Sequence, residues 1–85
     1  MNYTIGHQLV GYDPQTERVA FKKEIPEGLM AKVLKLVDVD DDDRQVFDSY
    51  PVDSASARNI LGMIEAHEKR ELDFFLEGFQ RLVER

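Results

Sequence analysis

"ELDFFLEGFQRLVER", residues 71–85, closes the chain, and its reading decides the fold. Leu72, Phe75, Leu76, Phe79, Leu82 and Val83 recur at spacings of three and four, with Phe74 to one side. Asp73, Glu77, Gln80, Arg81 and Glu84 fall on the opposite face. This is the pattern of an amphipathic helix. Upstream, "EAHEKREL" is rich in good helix formers and holds no breaker. From Ser54 onward there is no proline, and the only glycines are Gly62 and Gly78. The spacing therefore favours one helix from about 54 to 84 over two helices with a turn near 66–70. At ~1.5 Å per residue such a helix is ~45 Å long. Residues 1–66 then form a compact unit and residues 67–85 a helical extension of the same domain. Each buried leucine or aromatic is worth about 1.5–3 kcal/mol. The stripe must fold back on the domain or meet a partner. The expectation is a homodimer joined through Leu72, Phe75, Leu76, Phe79, Leu82 and Val83.

The rest of the chain supports a small α+β domain. Eighty-five residues make one domain with a modest core. Tyr3, Ile5, Leu9 and Val10 form a β-type run that ends at "YDPQTE", where Asp13 and Pro14 are strong turn formers. Val19, Phe21 and Ile25 then alternate with polar residues or alanine, which predicts a hairpin. The expected register sets Tyr12 against Arg18, Leu9 against Phe21 and Ile5 against Ile25, with His7 and Lys23 on the same face. Leu29, Met30, Val33, Leu34 and Val37 predict an amphipathic helix that Pro26 starts. Val46, Phe47 and Tyr50 predict a short strand ended by Pro51. Asp53 or Ser54 caps a second helix with the stripe Ala57, Ile60, Leu61 and Ile64. The predicted order is β-β-α-β-α, a small antiparallel sheet packed by helices, with the long C-terminal helix as its last element.

Charge is concentrated in one place. "VDVDDDDRQVFDSYPVD", residues 37–53, holds Asp38, Asp40, Asp41, Asp42 and Asp43 within six positions. Removing those five charges from a net charge of −6 leaves −1. The balance disfavours nucleic-acid binding, which needs a basic stripe. It suits a basic protein partner. As a calcium loop starting at Asp38 the run fails where it matters. Position six is Asp43 rather than glycine, and position twelve is Ser49 rather than glutamate. A solvated acidic loop is the plain reading, and no dedicated metal site or cofactor is expected. Asp48 and Tyr50, beside the run, are the candidate polar anchors for a small molecule or cation. His7 and His67 fall on different elements. No nucleophile–base pair, phosphate loop or histidine cluster stands out, so no catalytic residue is assigned and no enzyme is expected. There are no cysteines, no apolar run of transmembrane length and no signal-peptide pattern at "MNYTIGHQLV", which implies a cytoplasmic protein without membrane association.

"YDPQTERVAF" and "FDSYPVDSASARNIL" resemble a group of small uncharacterised bacterial proteins classed as a domain of unknown function. The shared features are a Tyr-Asp turn before a strand and an Asp-x-Tyr-Pro segment leading into an alanine-rich helix. The resemblance covers about residues 3–65. It implies bacterial origin and the compact unit, and it supplies no activity. The expected function is a small acidic interaction module with an aspartate-rich loop for a basic partner, of the immunity-protein type. The alternative is a small-molecule or cation-binding protein that uses residues 38–50.

Overall fold

The computed structural model describes residues 2–43 and 45–83. Four strands and two α-helices follow in the order β1 (Asn2–Tyr12), β2 (Val19–Ile25), α1 (Met30–Val33), β3 (Ser49–Val52), α2 (Ser54–Met63) and β4 (Asp73–Val83). Two single 3-10 turns, Glu27–Leu29 and Asp41–Asp43, lie before α1 and between α1 and β3. The strands form one antiparallel sheet in the order β2-β1-β4-β3.

The long C-terminal helix does not exist. Residues 73–83 are a strand, and it lies inside the sheet, paired with β1 along its whole length and with β3 over Phe74–Glu77. Glu84, at the end of the expected helix, lies outside the described residues. Two facts explain the reversal. First, α2 stops at Met63 with no glycine at the left-handed position beyond it and no proline after it. Glu65 takes a left-handed backbone with φ 55°. The Glu65 amide donates to the Gly62 carbonyl and the Ala66 amide to the Leu61 carbonyl. This is the bonding of a Schellman stop, in which glycine normally holds the left-handed position. Second, Phe74 and Leu76 fill the core from alternate positions of β4, a period-two demand that overrides the helical spacing. Between the two elements, Arg70 clamps the connection. It donates twice to the Glu68 carboxylate, at 2.8 and 2.7 Å, and once to the Ala20 carbonyl of β2 at 2.9 Å.

The hairpin of β1 and β2 forms, in a register displaced from the expected one. His7 faces Ile25, Leu9 faces Lys23 and Gly11 faces Phe21. Tyr12 faces Val19 rather than Arg18, and a bulge between Gly11 and Tyr12 adds the second step. A slip of two residues keeps Ile5, His7, Leu9, Phe21, Lys23 and Ile25 on their predicted face, and the bulge carries Val19 to the other, opposite Tyr12. Asp13 shapes the turn: its carboxylate accepts from the amides of Gln15 and Thr16.

Both helices cover one face of the sheet. Leu9, Ile25, Tyr50, Val52, Phe74 and Leu76 from the strands meet Met30, Val33, Ala57, Ile60, Leu61 and Ile64 in a single cluster. The first helix is much shorter than its periodicity predicts. Its α-helical part spans four residues, and Val37 reaches the core from beyond it. Of the two residues expected to cap the second, Asp53 does so and Ser54 is its first helical residue; the Asp53 carboxylate accepts from the Ser56 amide at 2.8 Å.

The other sheet face carries no helix, and its own side chains bury Val10 at its centre. Val10, Tyr12, Phe75, Glu77, Phe79 and Arg81 lie on it, because they pair or alternate out of phase with the core residues. The Phe79 ring lies over Gly6, where a Cβ would collide with it. Arg81 sits above that ring and reaches the Glu24 carboxylate.

Leu76→Ala is expected to cost about 2–5 kcal/mol, since the side chain is fully buried against both layers. Leu82→Ala, 43% exposed on the same strand, is expected to stay within about 0.5 kcal/mol. Urea denaturation of the two variants measures the contrast. A helix with one apolar stripe would give both substitutions similar weight.

Candidate functional site

The acidic run leaves the end of α1 and crosses beneath the sheet toward β3. Its alternation is visible: Val37 is buried and Val39 half-buried, while Asp38 and Asp40 point to solvent. Asp41–Asp43 then form a 3-10 turn, closed by the Asp43 amide donating to the Asp40 carbonyl. Asp38, Asp40, Asp41 and Asp42 are exposed.

Asp43 differs from the other four. Its Oδ1 accepts from the Phe47 amide at 2.8 Å. Its Oδ2 accepts from the Asp48 amide at 3.0 Å and from the Tyr50 hydroxyl at 2.7 Å. Three donors on one carboxylate favour its charged form. The Phe47 amide, then the Tyr50 hydroxyl, then the Asp48 amide hold the Asp43 carboxyl below the usual carboxylate range. In return the carboxylate pushes the Tyr50 hydroxyl up to about 12.

The segment after Asp43 is pinned from three strands. Tyr50 of β3 holds Asp43. Gly78 of β4 receives the Val46 carbonyl, which a Cβ at residue 78 would block. His7 of β1 donates from Nε2 to the Gln45 carbonyl at 2.8 Å, since a carbonyl only accepts. The His7 Nδ1 faces Glu27 at 2.8 Å. Val46 is itself strained, with φ 56° for a β-branched residue. Such a conformation costs on the order of 1–3 kcal/mol and persists only when its surroundings impose it. Its side chain is buried in the core, which supplies the compensation.

The sequence-predicted site residues therefore separate. Four aspartates form an outward acidic surface, and the fifth is the internal lock that shapes it. Tyr50 is buried, with its hydroxyl turned to Asp43 rather than outward, and Asp48 is exposed. The six residues expected at a dimer interface do not share a face. Leu76 is core and Leu72 packs at the core margin. Phe75 and Phe79 lie on the open sheet face, and Leu82 and Val83 are exposed at the end of β4. Among the described residues no three His, Asp or Glu side chains converge in a cluster that could hold a metal ion. No helix among them is long and apolar enough to cross a membrane.

Sequence reasoning missed His7, Glu27 and Gln45 as a unit. The phase of His7 with Ile5 and Leu9 placed it on the core face, but no local signal names partners 20 and 38 residues away. It also missed Glu77, whose Oε2 accepts from the Tyr12 hydroxyl at 2.8 Å and the Ser49 hydroxyl at 3.1 Å. That contact and partial burial raise the Tyr12 hydroxyl above its ordinary value.

The model of one protein family, the domain of unknown function DUF7683, matches residues 7–77. That span includes the acidic run, the Asp43 lock, His7 and the first five residues of β4. No curated protein and no solved structure matches the chain.

The Asp43–Tyr50 contact has a pH signature at both ends. A carboxyl held low in the folded state stabilises above its unfolded value near 3.8, and that stabilisation is lost as pH falls through the lower folded value. A hydroxyl raised from 10.0 to about 12 stabilises below 10.0, and that is lost as pH climbs toward about 12. Asp43→Asn should flatten the acid decline and Tyr50→Phe the alkaline decline in urea-denaturation stability measured across pH. Each variant should be less stable than the parent at pH 7.

Proposed function

This chain belongs to the DUF7683 family, and we propose that it is a small acidic interaction module of the bacterial cytoplasm, binding rather than catalytic, whose aspartate loop receives a basic protein surface. The observation that carries the reading is the division of labour in the loop. One carboxylate is spent internally, on three hydrogen bonds from the Phe47 and Asp48 amides and the Tyr50 hydroxyl. The Asp43 amide in turn donates to the Asp40 carbonyl, which ties the outward carboxylates to that anchor. Preorganised charge loses less entropy on binding than charge on a free loop. It also steers a basic partner toward one place on the molecule. The cost of placing negative charge after a helix C-terminus is small here, because α1 is only four residues long. A blocker of a basic toxin or nuclease, of the immunity-protein type, is the partner class this chemistry suits, and the absence of cysteine fits a reducing compartment.

The test replaces Asp38, Asp40, Asp41 and Asp42 with asparagine and leaves Asp43 intact. Partners recovered on the parent chain are purified and titrated against both proteins at low and high salt. The variant should lose at least about tenfold in affinity, and added salt should weaken the parent far more than the variant. Equal affinities and equal salt responses would remove the loop from the function.

A second reading rests on a cavity of about 350 Å³ under the same loop, lined by Leu34, Val37, Asp38, Val39, Asp40 and Asp41. Apolar walls beside carboxylates suit a small cation with an apolar body. Titration with an aromatic amine such as tryptamine, followed by amide NMR shifts, separates the readings. Saturable shifts confined to residues 34–41 favour the small molecule; shifts spread over all exposed carboxylates count against it.

A further inference from the structure

The sheet's edges are unequally protected. An exposed strand edge invites pairing with another chain, and charges or proline normally guard it. Edge strand β2 carries exposed Lys22, Lys23 and Glu24, and edge strand β3 is four residues long and contains Pro51. The unguarded edge belongs to β1. Its pairing with β2 begins only at His7, so Asn2–Gly6 have β4 on one side and no strand on the other. These five residues, "NYTIG", include no charge, and Asn2, Tyr3 and Thr4 are exposed. Tyr3 is 58% exposed, on the face that bears the helices.

Beside this edge the chain turns away at Pro26, and a cavity of about 360 Å³ opens beneath the sheet. Ile5, Met30, Leu34 and Val46 give it apolar walls, and His7 and Glu27 line its polar side. The Glu27 side chain is 65% exposed there.

We propose that the free edge of β1 pairs antiparallel with the same edge of a second copy of this chain, and that Tyr3 of each copy inserts into the cavity beside Ile5 of the other. The register follows from a two-fold axis perpendicular to the sheet. A two-fold axis through a pair of identical residues keeps the faces matched, and centring it on the five unpaired residues Asn2–Gly6 sets Thr4 against Thr4. Tyr3 of each copy then faces Ile5 of the other, and Asn2 faces Gly6. Threonine pairs and aromatic–β-branched pairs are among the favourable cross-strand pairs, and no like charges meet. A facing Tyr3 arrives on the helix-bearing face, where the Ile5 cavity opens. Its ring meets the apolar walls, and its hydroxyl comes to the side where Glu27 lies. Each copy supplies one ring and one cavity, so the interface is isologous and closes at two. This self-complementarity selects a second copy over an unrelated extended peptide. The contact uses the edge of β1 and a cavity walled by Ile5, Glu27, Met30, Leu34 and Val46, and none of Asp38, Asp40, Asp41 or Asp42, so its failure and that of the acidic-loop reading are separate events.

Sedimentation equilibrium of the intact chain, from about 10 µM to about 1 mM, tests it first; a short edge contact gives a dimer in the micromolar range. The chain has no cysteine, so a single one is a clean probe. Facing Cα atoms in an antiparallel pair lie about 4.5–5.5 Å apart, within disulfide reach. Thr4→Cys should give a disulfide-linked dimer under mild oxidation, and Gln15→Cys at the hairpin tip should not. Tyr3→Lys should weaken association at least about tenfold with an unchanged urea midpoint, since the side chain is exposed in the single chain. A parent that stays at 9.8 kDa throughout overturns the proposal. So does a dimer that Tyr3→Lys leaves intact or that Thr4→Cys does not link.

Discussion

Leu9 and Leu76 face each other on the two inner strands, and both are fully buried. The rest of the structure depends on this contact. A chain of this length has little core to spare, and its two helices are short. The hairpin of β1 and β2 alone would be marginal, because a two-stranded sheet buries one weak face. Inserting β4 between β1 and β3 joins the first and last parts of the sequence and turns a hairpin and a short edge strand into one sheet. The helices then have a continuous floor of Leu9, Ile25, Phe74 and Leu76 to pack on. The elements with the strongest local signals, the turn at Asp13 and the cap at Asp53, are positioned by a pairing that no local signal announces.

The same sheet sets the shape of the acidic loop. Its carboxylates repel one another, and no helix of useful length supports them. What holds the loop is a set of contacts from three strands: the Tyr50 hydroxyl on Asp43, the His7 ring on the Gln45 carbonyl, and the space above Gly78 that admits the Val46 carbonyl. Each contact is short-range and directional. Together they outweigh the strain at Val46 and the local concentration of negative charge. The acidic surface is a product of the sheet rather than a floppy insertion between elements.

Much of the frame was legible from residue order. The hairpin, the Asp53 cap and the buried stripe of α2 were all readable, because each is written in a few adjacent residues. Hairpin register was legible in phase from His7 to Gly11 but not in position, since a slip of two residues leaves the facing pattern intact, and the bulge that carries Val19 to the other face has no local sign. The last strand was misread for two physical reasons. Glu65 ends α2 in a left-handed conformation that glycine usually marks, so the stop has no sequence sign. The apolar residues of 72–83 fit a helical stripe, while their β character lies in Phe74, Phe75, Phe79 and Val83 and in the needs of β1. Asn2–Tyr12 is eleven residues without Asp, Glu, Lys or Arg. A strand so free of charge belongs inside a sheet, with partners on both sides, and β2 is only one. The acidic surface was legible as charge; the special role of Asp43 was not, since its three donors lie four to seven residues away.

His7 ties these levels together. Its Nδ1 meets Glu27, before the first helix, and its Nε2 meets Gln45, at the base of the acidic loop. One ring on an inner strand thus fixes both segments that flank the Ile5 cavity. Loss of either contact would free the Gln45 carbonyl or the first-turn glutamate at a place where the backbone is already strained. A buried polar group of this kind costs more when half satisfied than an apolar replacement would. Its full satisfaction therefore holds the Glu27 and Gln45 segments against β1 at once. The ring thereby supplies one of the three contacts that hold the loop, beside the Tyr50 hydroxyl on Asp43 and the space above Gly78.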